Sequence, residues 1–153
     1  MQDNLISHVG SLKGLKSLQH LNLNRNRLSH IDLEGLTVLT SLNVVANQLV
    51  RIPGPLPESL RYICASENKI SGALDPNQFL HLRQLDQLML DDNQISELPK
   101  LMTQMTSLSL LDIRKNSILQ VDDVWHRVDF FYGDPPSLII PHLVIVNKVS
   151  ESG

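Results

Sequence analysis

The sequence predicts an α/β solenoid in which a parallel sheet lines the concave face and irregular or helical segments form the convex one. Three observations predict it: an eleven-residue apolar pattern that recurs, an asparagine at the same place in every copy, and unequal spacing between copies. The first copy, Leu18-Gln19-His20-Leu21-Asn22-Leu23-Asn24-Arg25-Asn26-Arg27-Leu28, fits Leu-x-x-Leu-x-Leu-x-x-Asn-x-Leu in full. Further copies begin at Leu39, Leu60, Leu85 and Leu108, with Leu42, Ile63, Leu88 and Leu111 fourth and Val44, Ala65, Leu90 and Ile113 sixth. Asn26, Asn47, Asn68, Asn93 and Asn116 fill the ninth position throughout. A repeat of this period decides the architecture, because no copy can cover its own apolar face and neighbours must stack.

Each element follows from the pattern. Apolar residues at positions four and six alternate with polar ones, the period-two signature of a half-buried strand. Each copy therefore supplies one short strand, and stacking places these strands about 4.8 Å apart in a parallel sheet. Leu28, Ile31, Leu36 and Val38 recur at wider spacing and return the chain through a helical or extended segment. The ninth-position asparagines carry both donors and acceptors and sit where the chain bends, so they are expected to satisfy turn backbone groups. Steps of 21, 21, 25 and 23 residues between copies place the irregularity on the convex side. There, Ile52-Pro53-Gly54-Pro55-Leu56-Pro57 reads as an extended connector.

These residues resemble the leucine-rich-repeat family over roughly residues 1 to 119. Leu33 to Leu39 and Leu98 to Leu108 are similar to the intracellular members in their Ile/Leu-x-x-Leu-x-x-Leu spacing. The expected organisation is a partial repeat over 1–17, five repeats over 18–119, and a C-terminal cap with a short tail over 120–153. Asn4 aligns under Asn26, Ile6 under Leu28, His8 under His30 and Val9 under Ile31, so the chain is expected to open inside a repeat, as a fragment or a frayed product. Val121, Val124, Trp125 and Val128 recur at helical spacing, with Asp122 and Asp123 in the first turn. A Gly133-Asp134-Pro135-Pro136 turn follows, and Ile140, Leu143 and Ile145 repeat the first, fourth and sixth spacing. Trp125, Arg127, Pro136 and Leu138 match the helical cap that the resemblance implies, without its usual Leu-Asp. The last strand, Leu138 to Val146, is expected to offer an unprotected edge for self-association.

Composition narrows the function classes. A net charge of −3, from 13 basic and 16 acidic residues, supplies no basic field for nucleic acid, and no apolar run reaches the length of a membrane span. Cys64 is the only cysteine, no asparagine heads a glycosylation acceptor, and the opening residues do not read as a signal peptide. A reducing cytoplasmic or nuclear location is the corresponding expectation. No phosphate loop or nucleophile elbow is present, so neither enzymatic activity nor a cofactor is expected. His8 and His30 share a repeat position, but a structural zinc site wants about four ligands, and their Ser-His-Ile/Val setting reads as one duplicated unit.

What remains is a surface. Positions three, five and seven of each strand point to the concave face, giving rows of His20, Ser41, Tyr62, Gln87 and Leu110; of Asn22, Asn43, Cys64, Met89 and Asp112; and of Asn24, Val45, Ser66, Asp91 and Arg114. Val45, Tyr62, Cys64, Met89 and Leu110 form an expected apolar centre, with Tyr62 and Met89 as anchors. Arg25, Glu67, Asp92 and Lys115, at the eighth position, form a charged rim whose acidic middle suits a protein partner with a basic segment. The function expected is a protein-binding scaffold or regulatory module. The alternatives are a ribonucleoprotein component, disfavoured for direct RNA contact by the lack of a basic stripe, and an intracellular recognition or sensor protein.

Overall fold

The computed structural model describes residues 4–99, 102, 104–118, 129–131, 137–140 and 143–146. Strands β1 (His20–Asn22), β2 (Ser41–Asn43), β3 (Tyr62–Cys64), β5 (Gln87–Met89) and β7 (Leu110–Asp112) run parallel, in that order, as the inner sheet. Their register is position for position: His20 faces Ser41, Ser41 faces Tyr62, Tyr62 faces Gln87, and Gln87 faces Leu110. β4 (Ser71–Ala73) and β6 (Gln94–Glu97) form a separate two-stranded parallel ladder.

Burial follows the alternation. Leu42, Ile63, Leu88 and Leu111 at the fourth position and Leu23, Val44, Ala65, Leu90 and Ile113 at the sixth are buried, and they form the spine of one continuous core. The return segments close that core in three-residue steps. Leu33, Leu36 and Leu39 are linked by amide-to-carbonyl bonds of 3.1 and 3.2 Å, and Phe79, Leu82 and Leu85 by bonds of 3.0 and 3.2 Å. A bond to the third residue back is the 3₁₀ arrangement, which eclipses side chains three apart, so every third residue falls inward as one apolar row. Gly35, at φ +87°, lies where a Cβ would stand 3.1 Å from the Lys13 Cα, which keeps the first two return segments close.

The ninth-position asparagines join one repeat to the next. Asn68 Nδ2 donates to Ala65 O (3.1 Å) and Ser66 O (3.0 Å) in its own repeat and to Val44 O (3.0 Å) in the one before. Its Oδ1 accepts the Leu49 amide at 3.0 Å. Asn47, Asn93 and Asn116 repeat this pattern, bridging to Leu23, Ala65 and Leu90 carbonyls and accepting from Leu28, Ile70 and Ile95. Asn26 accepts the Ile6 amide at 3.1 Å, so Ile6 stands to the first full repeat as Leu28 stands to the second.

The eighth position holds a feature that the sequence reading missed. Arg25, Ala46, Glu67, Asp92 and Lys115 all adopt left-handed backbone, with φ between 52° and 56°. None is glycine or asparagine, the residues that accept this conformation most readily, so the strain is imposed from outside the residue. The strands continue through these positions: Arg25 N bonds Val45 O, Ala46 N bonds Ser66 O, Glu67 N bonds Asp91 O and Asp92 N bonds Arg114 O. The asparagine one residue later secures the same turn.

The C-terminal segment corrects two expectations. Residues 138–146 are not one free strand: β9 (Ser137–Ile140) and β10 (Leu143–Val146) are antiparallel to each other, β10 runs parallel to β7, and β8 (Asp129–Phe131) closes the far side of β9. The expected unprotected edge is therefore paired. The register differs as well, since Ile145 faces the fourth-position Leu111, where Leu143 was expected. The expected helix over 121–128 and the Gly133 to Pro136 turn lie outside the described residues.

Two stability measurements follow. Asn68→Ala removes four bonds and leaves buried backbone groups unpaired, so urea unfolding is expected to lose about 3 kcal/mol or more; a loss below about 1 kcal/mol contradicts the bridging role. Ala46→Gly relieves a left-handed alanine and is expected to raise stability by about 0.5–1 kcal/mol, the reverse of the same change in a helix.

Candidate functional site

The sheet presents its third, fifth and seventh positions on the concave side in three aligned rows, at graded depth. In the third row His20 is exposed, while Ser41, Tyr62, Gln87 and Leu110 are half-buried. In the fifth row Asn22 is exposed, Asn43 and Met89 are half-buried, and Cys64 and Asp112 are buried. In the seventh row Asn24, Val45, Asp91 and Arg114 are half-buried and Ser66 is buried. The structure thus gathers Tyr62, Cys64, Ser66, Met89 and Asp91 on β3, β5 and the residues that follow them.

A line of polar contacts joins these side chains. Tyr62 stands beside Cys64, close enough for the thiol to affect its phenol. Cys64 Sγ lies 3.6 Å from Ser66 Oγ, and the Ser66 hydroxyl donates to Asp91 Oδ1 across the strand gap. Toward the amino-terminal repeats asparagines of the fifth and seventh rows instead serve the backbone. Asn22 Oδ1 accepts the Asn24 amide at 3.1 Å, and Asn24 Oδ1 accepts the Val45 amide at 3.1 Å. Those asparagines are oriented by the chain itself.

At the other end Asp112 is 1% exposed and is held by Arg114, whose Nε lies 3.0 Å from Oδ1 and whose Nη2 lies 2.6 Å from Oδ2. Planar two-point pairing of this kind is the strong form of a charge-assisted bond. It raises the Arg114 guanidinium's affinity for its proton, first through the bond to Asp112. Lys115 Nζ pairs with Asp92 Oδ2 at 3.0 Å on the exposed rim, which raises the Lys115 ammonium in the same sense. Glu67 is exposed and Arg25 is exposed. His8 and His30 are both exposed, and among the described residues no group of three or more His, Cys, Asp or Glu side chains is placed to hold a metal ion.

Repeat geometry and sheet define the class: the fold is the leucine-rich-repeat solenoid, generally a protein-binding framework. Residues 2–49 match the family model described as leucine rich repeat. The chain is similar to human lumican, at 30% identity over 135 residues that cover 84% of this chain and 40% of that protein. It is also similar to rabbit (Oryctolagus cuniculus) fibromodulin, at 42% identity over 78 residues that cover 50% of this chain and 52% of that one. The chain thus spans only part of the relatives that it matches. Among solved structures it resembles the functional domain of InlJ from Listeria monocytogenes, which includes a cysteine ladder, with a TM-score of 0.66, 28% identity and coverage of 78% of this chain and 25% of that one. A leucine-rich-repeat protein of Leptospira interrogans matches with a TM-score of 0.67 at 26% identity, over 81% of this chain and 32% of its own. With one cysteine, this chain builds no such ladder. The intracellular character and helical cap expected from the sequence find no support among these relatives. Among the described residues no helix is long and apolar enough to cross a membrane.

Tyr62 reports directly on this centre. Burial, then the contact with Cys64, then the charges at Cys64 and Asp91 push its phenol from 10.0 up to about 12. A raised folded-state value means the folded chain holds the proton more tightly than the unfolded chain. The associated stability is therefore complete below about pH 10 and is lost as pH rises through about 12. The difference in phenolate absorbance between the native chain and Tyr62→Phe is expected to titrate near pH 12; a midpoint at 10 would place Tyr62 in open solvent.

Proposed function

We propose that this chain is a non-catalytic protein-binding module, a scaffold or regulatory subunit, that seats its partner on the concave face of the solenoid. One observation carries the reading. In the middle strands the core-facing residues Leu42, Ile63 and Leu88 are fully covered, whereas Val45, Tyr62, Met89 and Leu110 on the opposite face are only half-covered. A sheet with one face in a core and the other bearing an aromatic, a methionine and two aliphatic side chains has apolar surface to lose on association. Tyrosine and methionine are enriched in such patches, and the charged and polar residues around them supply a rim. Part of the surrounding face is already ordered, since Asn22, Asn24 and the Asp112–Arg114 pair are fixed by bonds within the chain. A pre-ordered surface loses little side-chain entropy when a partner docks.

The test is a partner-capture experiment with surface variants. Tyr62→Glu with Met89→Glu is expected to lower partner affinity by about 30-fold or more, the loss typical of truncated interface anchors. Urea midpoint and circular dichroism should stay close to the native chain, because neither residue is in the core. A photo-crosslinking residue at position 87 should capture the same partner, and one at the exposed position 50 should not. Retained affinity in the double variant, or capture from position 50 alone, would overturn the proposal.

A further inference from the structure

The contacts around Tyr62 set the chemistry of the partner as well as its place, an inference that rests on the concave-face reading above. The hydroxyl of Ser66 donates to the Asp91 carboxylate, which can only accept. With its hydrogen spent there, Ser66 Oγ is an acceptor toward Cys64, so the thiol donates. The Cys64 and Ser66 hydrogens thus both point toward Asp91, with Tyr62 beside the thiol. Asp91 keeps a second carboxylate oxygen, which can only accept.

The charge distribution agrees. Arg114 is committed to Asp112 and Lys115 to Asp92, so each of those pairs is neutral. Asp91 and Glu67, on neighbouring repeats, form no ion pair among the described residues, and Asp91's one side-chain bond is to a neutral hydroxyl. Two negative charges therefore remain uncompensated beside a half-buried tyrosine ring and a half-buried methionine.

We propose that the centre of the concave face recognises an arginine side chain of the partner, its guanidinium on Asp91 and Glu67 and its stem against Tyr62 and Met89. Arginine fits where an isolated ammonium fits less well. Its five donors match a surface made of acceptors, its plane stacks on an aromatic ring, and it loses less hydration on docking. A neighbouring apolar residue of the partner would fill the Val45 side of the patch.

The experiment titrates the full-length ¹⁵N-labelled chain with the peptide acetyl-Leu-Arg-Leu-amide and with acetyl-Leu-citrulline-Leu-amide, which keeps shape and loses charge. The arginine peptide is expected to shift the amides of Tyr62, Gln87, Met89 and Asp91, and the citrulline peptide to bind about tenfold more weakly. Asp91→Asn should weaken the arginine peptide by about fivefold and leave the citrulline peptide unchanged, while Asp86→Asn, off this face, alters neither. Equal binding of both peptides at the same amides would overturn the arginine assignment and leave the concave-face reading standing. Shifts confined to other surfaces would overturn both, and no binding of the arginine peptide would overturn the assignment.

Discussion

The asparagine side chain that reaches from one repeat into the one before it is the interaction on which everything else in this fold depends. At each bend the sixth and seventh carbonyls turn inward, and an eleventh-position amide of the preceding repeat faces them. Unpaired in a core, each such group would cost about 1–3 kcal/mol. An amide side chain of this length supplies the two donors and one acceptor that the place requires. Aspartate would bring only acceptors against carbonyl oxygens, and leucine would bring nothing. Because the bonds run to the previous repeat at fixed positions, they also fix the stacking register. The strands pair third to third and fifth to fifth whatever the length of chain between them. The longest step, 25 residues from Leu60 to Leu85, leaves β3 and β5 as well aligned as β1 and β2, since its extra residues fall after the asparagine bonds.

That division explains what could be read from the sequence. Alternation plus asparagine determines strand, face and register, and for β1, β2, β3, β5 and β7 all three agree with the pattern. Depth does not follow from alternation. Cys64, Ser66 and Asp112 share their rows with exposed Asn22 and half-buried Asn24, yet they are buried, Ser66 in contact with Asp91 and Asp112 with Arg114 of its own repeat. The left-handed eighth row was hidden for a different reason. Glycine is the usual signal of such a backbone, but here the ladder and the asparagine impose it, leaving charged residues free to occupy the place. A recurring charge at one repeat position was visible; its conformational meaning was not.

The C-terminal register shows the same logic in reverse. The expected and observed frames differ by two residues, Leu143 against Ile145 at the fourth position, a shift that leaves a period-two pattern unchanged and therefore undetected by it. Asn147 follows Val146, but neither frame puts an asparagine at the ninth position: the expected frame has Lys148 there and the observed one Ser150. A strand placed by hydrophobicity alone is thus ambiguous by one or two residues, whereas one tied to an asparagine bond is not.

In the middle of the sheet, the separation of fold from function is incomplete in a way that matters for specificity. Fourth, sixth and ninth positions hold the solenoid, and in principle the third, fifth and seventh are free to vary. Between β3 and β5, however, the outward residues are bonded to one another, so position 91 cannot lose its side-chain acceptor without freeing the Ser66 hydroxyl, and Ser66 cannot change without altering what Cys64 donates to. The donors and acceptors of this patch form one set with one polarity. A surface of independent side chains can drift residue by residue toward new partners; a linked set presents one kind of chemistry or loses several contacts together. The concave centre therefore behaves as a single recognition unit carried on a framework that is otherwise indifferent to what it binds.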